Sequence, residues 1–224
     1  MFPYFELGPW QLGPVRVYPF GAAVACALLT WLLLILRRAA PTGLDPRTAL
    51  RLFESILVAG FIGALLFGQF HGYSSFGGAF GALAGALLYM RFRSMAPLDR
   101  RRYLDLLAFA FPFGWTFLRL GCTLVHDHPG RLTGSWLGVR YPGGNRYDLG
   151  LIEMLLSVAI SCTFIISDRR KRPPGYYIQW IVICGPVRIV LDLLRDSPGV
   201  DIVNGFVLTV MGLWIWKRIH RIVT

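Results

Sequence analysis

Long apolar runs broken by short polar, often arginine-bearing stretches dominate the chain. A bilayer core about 30 Å thick needs roughly 20 mainly apolar residues per helix. Applied as a ruler, that length places spans near residues 18–36, 52–70, 73–90, 103–125, 149–166, 176–194 and 203–216. The predicted class is all-α: a polytopic membrane protein of seven transmembrane helices in a single integral membrane domain, residues 1–224. The longest stretch between spans, 126–148, reads as a loop, and no internal repeat or linker suggests a second domain. The first apolar run ends in Arg37 and Arg38 rather than in a small-residue cleavage site, so it reads as a retained helix.

Composition agrees with lipid as the solvent. Hydrophobic residues make up 55% of the 224, charged residues only 16%, and mean hydropathy is +0.54. These values lie outside the usual range for a soluble domain. The formal charge of +11 does not indicate nucleic acid, because the basic residues punctuate apolar runs instead of gathering on one soluble face.

Their distribution sets orientation. Arg37, Arg38, Arg47 and Arg51, then Arg91, Arg93 and Arg100–Arg102, then residues 169–172, then Lys217, Arg218 and Arg221 all fall on one side of the alternating topology. The other side has only Arg16, Arg131, Arg140, Arg146 and Arg195. The positive-inside rule makes the richer side cytoplasmic. The N-terminus and the 126–148 loop are then periplasmic, and the C-terminus is cytoplasmic. Four cysteines, Cys26, Cys122, Cys162 and Cys184, show neither a disulfide framework nor zinc-ligand spacing. No metal or cofactor is expected.

Function is sought where the bilayer makes a residue expensive. An ionisable group at membrane depth is costly unless it is paired or faces a polar cavity. Arg119 lies in one span, and Arg188, Asp192 and Arg195 share one face of a later helix, with Asp192 placed to bridge both arginines. Three arginines against one aspartate leave guanidinium in excess. Such a pocket suits bidentate capture of phosphate or phosphodiester oxygens. The alternative is that these groups pair internally and staple helices, with Arg195 snorkelling to water.

Gly77, Gly81 and Gly85 repeat every four residues, a spacing for close helix packing. Ser74, Ser75, Gly77 and Gly78 stand at the outer helix end, where free amides and hydroxyls can hold an anionic head group. His126, Asp127 and His128 follow one another before Pro129 and Gly130. On an extended chain the two histidines share a face and Asp127 turns away. A loop turn is the simpler reading, with metal binding the less favoured one. Asp148 and Glu153 read as capping carboxylates at the start of the fifth span.

The order GPVRVYPFG, SSFGGAFGALAG, LRLGCTLVHDHPG, DLGLIE and GPVRIVLDLLRDSP resembles the prolipoprotein diacylglyceryl transferases over nearly the whole chain. That family consists of seven-helix bacterial inner-membrane enzymes that move diacylglycerol from phosphatidylglycerol to a lipobox cysteine. Its signature Gly-Arg-x-Gly-Asn-Phe-x-Asn-x-Glu-x-x-Gly falls on Leu118 to Gly130, matching at Arg119, Gly121 and Gly130, with Asp127 in place of glutamate. Its late Arg-x-x-x-Glu-x-x-Arg falls on Arg188, Asp192 and Arg195. Departures occur at Phe76, where the family has histidine, at Cys122 and Val125, where it has asparagines, and at Phe20, unless Tyr18 takes the role of the family's tyrosine.

The resemblance implies phosphatidylglycerol and a lipobox-containing preprolipoprotein as partners, with glycerol-1-phosphate released. Arg119 and Arg188 would be catalytic, and His126 or His128 would substitute as the base. Arg195, Asp192, Ser75, Gly77, Gly78, Gly121, Asp127 and Tyr18 would contact substrate. Two other readings stay open: a paralogue that binds or presents an anionic phospholipid, and a transferase with a different acceptor.

Overall fold

The computed structural model describes residues 1–69, 74–170, 172–196 and 209–210; the side chains of residues 75, 76, 181–185 and 188 are outside that description. The expected span at 203–216 falls almost entirely on the undescribed residues. The fold is mostly helical, built on α1 (Pro19–Ala39), α2 (Pro46–Phe67), α3 (Ser75–Phe92), α4 (Pro97–Val125), α5 (Leu149–Asp168) and α6 (Tyr176–Asp192). Among the described residues, Pro19–Thr42, Pro46–Phe67, Pro97–Val125 and Leu149–Asp168 are long and apolar enough to cross a membrane. The protein is a membrane protein.

Helix ends are set by local chemistry. Proline opens α1, α2 and α4, where its missing N–H costs nothing. α2 begins six residues before the expected 52, because Asp45 accepts from the Arg47 and Thr48 amides and caps a polar first turn. α6 takes its cap from another helix: buried Asp105 of α4 accepts from the amides of Tyr177 and Ile178 at 2.7 and 3.0 Å. Beside this contact Arg38 pairs with Asp168, and the Arg38 guanidinium lies 3.7 Å above the Phe109 ring. α1, α4, α5 and α6 are thereby tied at the basic end of the bundle.

α2 and α3 pack backbone to backbone. A Cβ added at Gly77 would meet the Gly63 carbonyl oxygen at 2.3 Å, at Gly81 the Ala59 oxygen at 2.1 Å, and at Gly85 the Ser55 oxygen at 2.6 Å. Both helices thus present small residues every fourth position along one antiparallel seam. Gly121 of α4 serves a similar contact, lying against Ala23 and Phe20 of α1.

The segment between α4 and α5 is not an irregular loop, and the chain is not purely helical. It folds into β3 (Pro129–Leu132), β4 (Gly138–Tyr141) and β5 (Gly144–Asp148), in the order β3-β5-β4, all antiparallel. Near the N-terminus β1 (Trp10–Leu12) and β2 (Val15–Val17) form a hairpin. The residues before it lie along the three-stranded sheet and the end of α4: the Phe2 amide donates to Gly138, the Arg140 amide to Phe2, and the Leu7 amide to Leu124 of α4.

Candidate functional site

Arg119 sits six residues before the end of α4, about 9 Å of helix rise below it. It is buried, and its Nε lies 2.7 Å from Oε2 of Glu153 on α5, itself buried. The guanidinium also stacks over the Trp115 ring at 4.7 Å. Glu153 is therefore not a capping carboxylate. It lies beyond the first turn of α5, whereas Asp148 is the cap, accepting from the Leu151 amide at 2.9 Å.

His126 ends α4 in the left-handed region, with φ of +49°. That turn reverses the chain and returns Asp127 and His128 toward Cys122, one helical turn earlier. The thiol sulfur of Cys122, a carboxylate oxygen of Asp127 and a ring nitrogen of His128 all lie within 4.8 Å of one another. Cys122 in turn lies 3.8 Å from Nη1 of Arg119. His128 Nδ1 meets Asp127 Oδ1 at 2.5 Å. The bond to Asp127, then the contact with Cys122, push the His128 pKa up to about 9. Burial works to raise the Asp127 carboxyl, but its bond to His128 outweighs that and holds it below the usual range.

The two histidines do not share a face. His126 turns inward, its Nδ1 2.5 Å from Oδ2 of the fully buried Asp148, which also accepts from the Tyr141 hydroxyl at 2.9 Å. Burial, then the Asp148 charge, push the Tyr141 hydroxyl above its ordinary range. Tyr4 stacks on the His126 ring at 4.7 Å. Nε2 of His126 is buried with no hydrogen-bond partner among the described residues.

The end of α6 joins this region through backbone. The Arg131 amide donates to the Leu194 carbonyl at 2.8 Å, and Gly130 and Arg195 form an isolated bridge. A Cβ at Gly130 would meet the Leu194 oxygen at 2.6 Å, so a side chain there would push the strand off α6. Asp192 is 1% exposed, with Oδ1 3.3 Å from Nε of Arg195. Arg188 lies on α6, and its side chain is outside the described residues, so its meeting with Arg119 remains an expectation.

At the other candidate corner, the Ser74 hydroxyl accepts from the Gly77 amide at 3.2 Å. The Gly77 amide is thereby already used, and Gly77 packs on α2. Gly78 has more room, with its nearest neighbour 3.6 Å from an added Cβ. The side chain of Ser75 is outside the described residues. Tyr18 precedes α1, exposed and making no side-chain cap.

The sequence model of the prolipoprotein diacylglyceryl transferase family matches residues 9–217, nearly the whole chain. The chain belongs to that family. A phosphatidylglycerol–prolipoprotein diacylglyceryl transferase of Chlorobaculum tepidum is 28% identical over 151 residues, covering 65% of this chain and 50% of that protein. The match thus spans half the length of this curated relative. Of the family's signature positions, Arg119, Gly121 and Gly130 have visible tasks here: ion pairing, packing on α1, and contact with α6. Sequence reading missed the Glu153 partnership; an acid too deep in α5 to cap, facing a helix with its own buried arginine, was the available signal.

Proposed function

We propose that the protein transfers the diacylglyceryl group of phosphatidylglycerol to the cysteine thiol of a lipobox-containing preprolipoprotein at the periplasmic face of the bacterial inner membrane. The sulfur forms a bond to the glyceryl carbon, the bond from that carbon to the phosphate oxygen breaks, and glycerol-1-phosphate leaves. The leaving phosphate gains negative charge as the bond breaks.

The observation that carries this reading is the buried Arg119, held by Glu153 beside the Cys122 and His128 cluster. A guanidinium has five N–H donors, and the Glu153 contact is at Nε. The terminal nitrogens suit the phosphate of the lipid, already oriented when charge develops. Arg188 would complete the clamp from α6, with Arg195 and Asp192 at its outer end. His126, enclosed by Tyr4, Tyr141 and Asp148, fits a positioning role. His128, half-buried and bonded to Asp127, stands nearer the acceptor's approach.

The test is transfer from phosphatidylglycerol vesicles to a lipobox peptide by purified protein. Transfer is expected from the unaltered chain and lost in Arg119→Ala and in Arg188→Ala. Transfer surviving in both variants would overturn the arginine roles, and no transfer from the unaltered chain would overturn the transferase reading. Phe76, at the position of the family's histidine, favours a second reading, a paralogue that binds anionic lipid without transferring it. Arginine-dependent vesicle binding with no released glycerol phosphate would select it.

A further inference from the structure

The Cys122, Asp127 and His128 cluster is built from three residue types that share one chemistry. A thiolate, a carboxylate and an imidazole are zinc ligands, and here their ligand atoms converge within 4.8 Å. Zinc bonds of about 2.0–2.3 Å in a tetrahedron put ligand atoms about 3.3–3.5 Å apart. Reaching that size takes shifts of about 1 Å or less, in which the Asp127 and His128 atoms, 2.5 Å apart, separate as the ion replaces their hydrogen bond and any wider spacing to Cys122 closes. The burial gradient supplies an entry path: Cys122 is buried, while the Asp127 and His128 side chains are 39% and 32% exposed.

The spacing in sequence hides the site. Cys122 belongs to the last turn of α4, and only the left-handed turn at His126 brings the next two residues back to it. Charge also balances once the ion displaces the protons carried by Cys122 and His128, since metal ligands must be deprotonated. The Cys122 thiolate and Asp127 carboxylate together cancel a divalent ion, so Arg119, 3.8 Å from the sulfur, faces no uncompensated cation.

We propose that Cys122, Asp127 and His128 bind a zinc ion whose open fourth position takes the acceptor thiol. Three protein ligands with one open position are the pattern of reactive, not structural, zinc sites. A thiol that coordinates there loses its proton to solvent and becomes a thiolate at neutral pH. Its sulfur then stands beside Arg119, where the phosphate of the lipid donor is held. It bonds to the glyceryl carbon as the carbon–oxygen bond to the phosphate breaks. The role left empty by Phe76 is thereby filled from another part of the chain, and the acceptor class is a thiol, not a hydroxyl. This inference rests on the transferase reading above.

The test uses the full-length protein in detergent, with zinc counted by elemental analysis and cobalt as a spectroscopic probe. One metal ion per chain is expected, with a thiolate-to-cobalt charge-transfer band that a lipobox peptide intensifies as a second sulfur joins. Cys122→Ser should abolish the band, and His128→Gln should weaken zinc binding at least about tenfold; retained circular dichroism and vesicle binding check that both variants fold. Absence of a Cys122-dependent band overturns the site. A metal-stripped protein that transfers lipid at an unchanged rate overturns the activating role and leaves the arginine reading standing. A Cys122-dependent band with no transfer to any thiol peptide overturns the transferase reading instead.

Discussion

Burying the Arg119 guanidinium costs several kcal/mol of lost hydration, offset by Glu153 at 2.7 Å and by the Trp115 ring against it. Removing Glu153 takes away the carboxylate that the buried Arg119 meets. Glu153→Ala is expected to destabilise the protein by about 3–5 kcal/mol, while the double variant Arg119→Leu with Glu153→Leu recovers most of that loss; thermal unfolding in detergent checks both. At Asp45 the Thr48 hydroxyl, then the Thr48 amide, hold the carboxyl below its ordinary range. A depressed folded pKa contributes stability above the unfolded value, about 3.9, and loses it as pH falls through the folded one. The Asp45 titration followed by NMR should therefore have a midpoint below that value, and Thr48→Ala should move it up. Arg119 was legible because an arginine in an apolar run demands a partner. The joining of Cys122 to His128 was not, since it depends on one residue adopting a positive φ that no residue type at 126 announces.

Helices were the easiest elements to read, because lipid requires each backbone to satisfy itself within one continuous apolar segment. Their ends moved where polar first turns extended them, as at Pro46 and Pro97. The sheet escaped because β3, β4 and β5 are four or five residues long, too short for alternation to stand out. The four-residue glycine repeat, by contrast, indicated close helix packing at Gly81 and Gly85, for which the structure supplies α2 as the partner, and it makes a sharp pair of expectations. Gly81→Ala puts a methyl 2.1 Å from the Ala59 oxygen and should cost about 1–3 kcal/mol by overpacking. Gly78→Ala meets nothing nearer than 3.6 Å and should be neutral or up to about 1 kcal/mol stabilising, since alanine favours helix. Unfolding of the two variants side by side checks the seam.

At the scale of the whole molecule, the arginine asymmetry predicts which face meets which compartment. In a cysteine-free background, Ser135→Cys in the sheet segment should react with a membrane-impermeant maleimide in intact cells, and Arg93→Cys should react only after the membrane is opened. Reversed labelling would invert the topology and place the Arg119 site at the inner leaflet. The strap formed by residues 2–7 has a further meaning for biosynthesis. Its partners, Leu124, Gly138 and Arg140, emerge from the ribosome more than a hundred positions later. Residues 2–7 are made before these partners and must therefore wait while α1 to α4 form and α4 turns back at His126. Tyr4 can reach that ring only after the turn exists, so its docking reports that α4 has been made and has turned back.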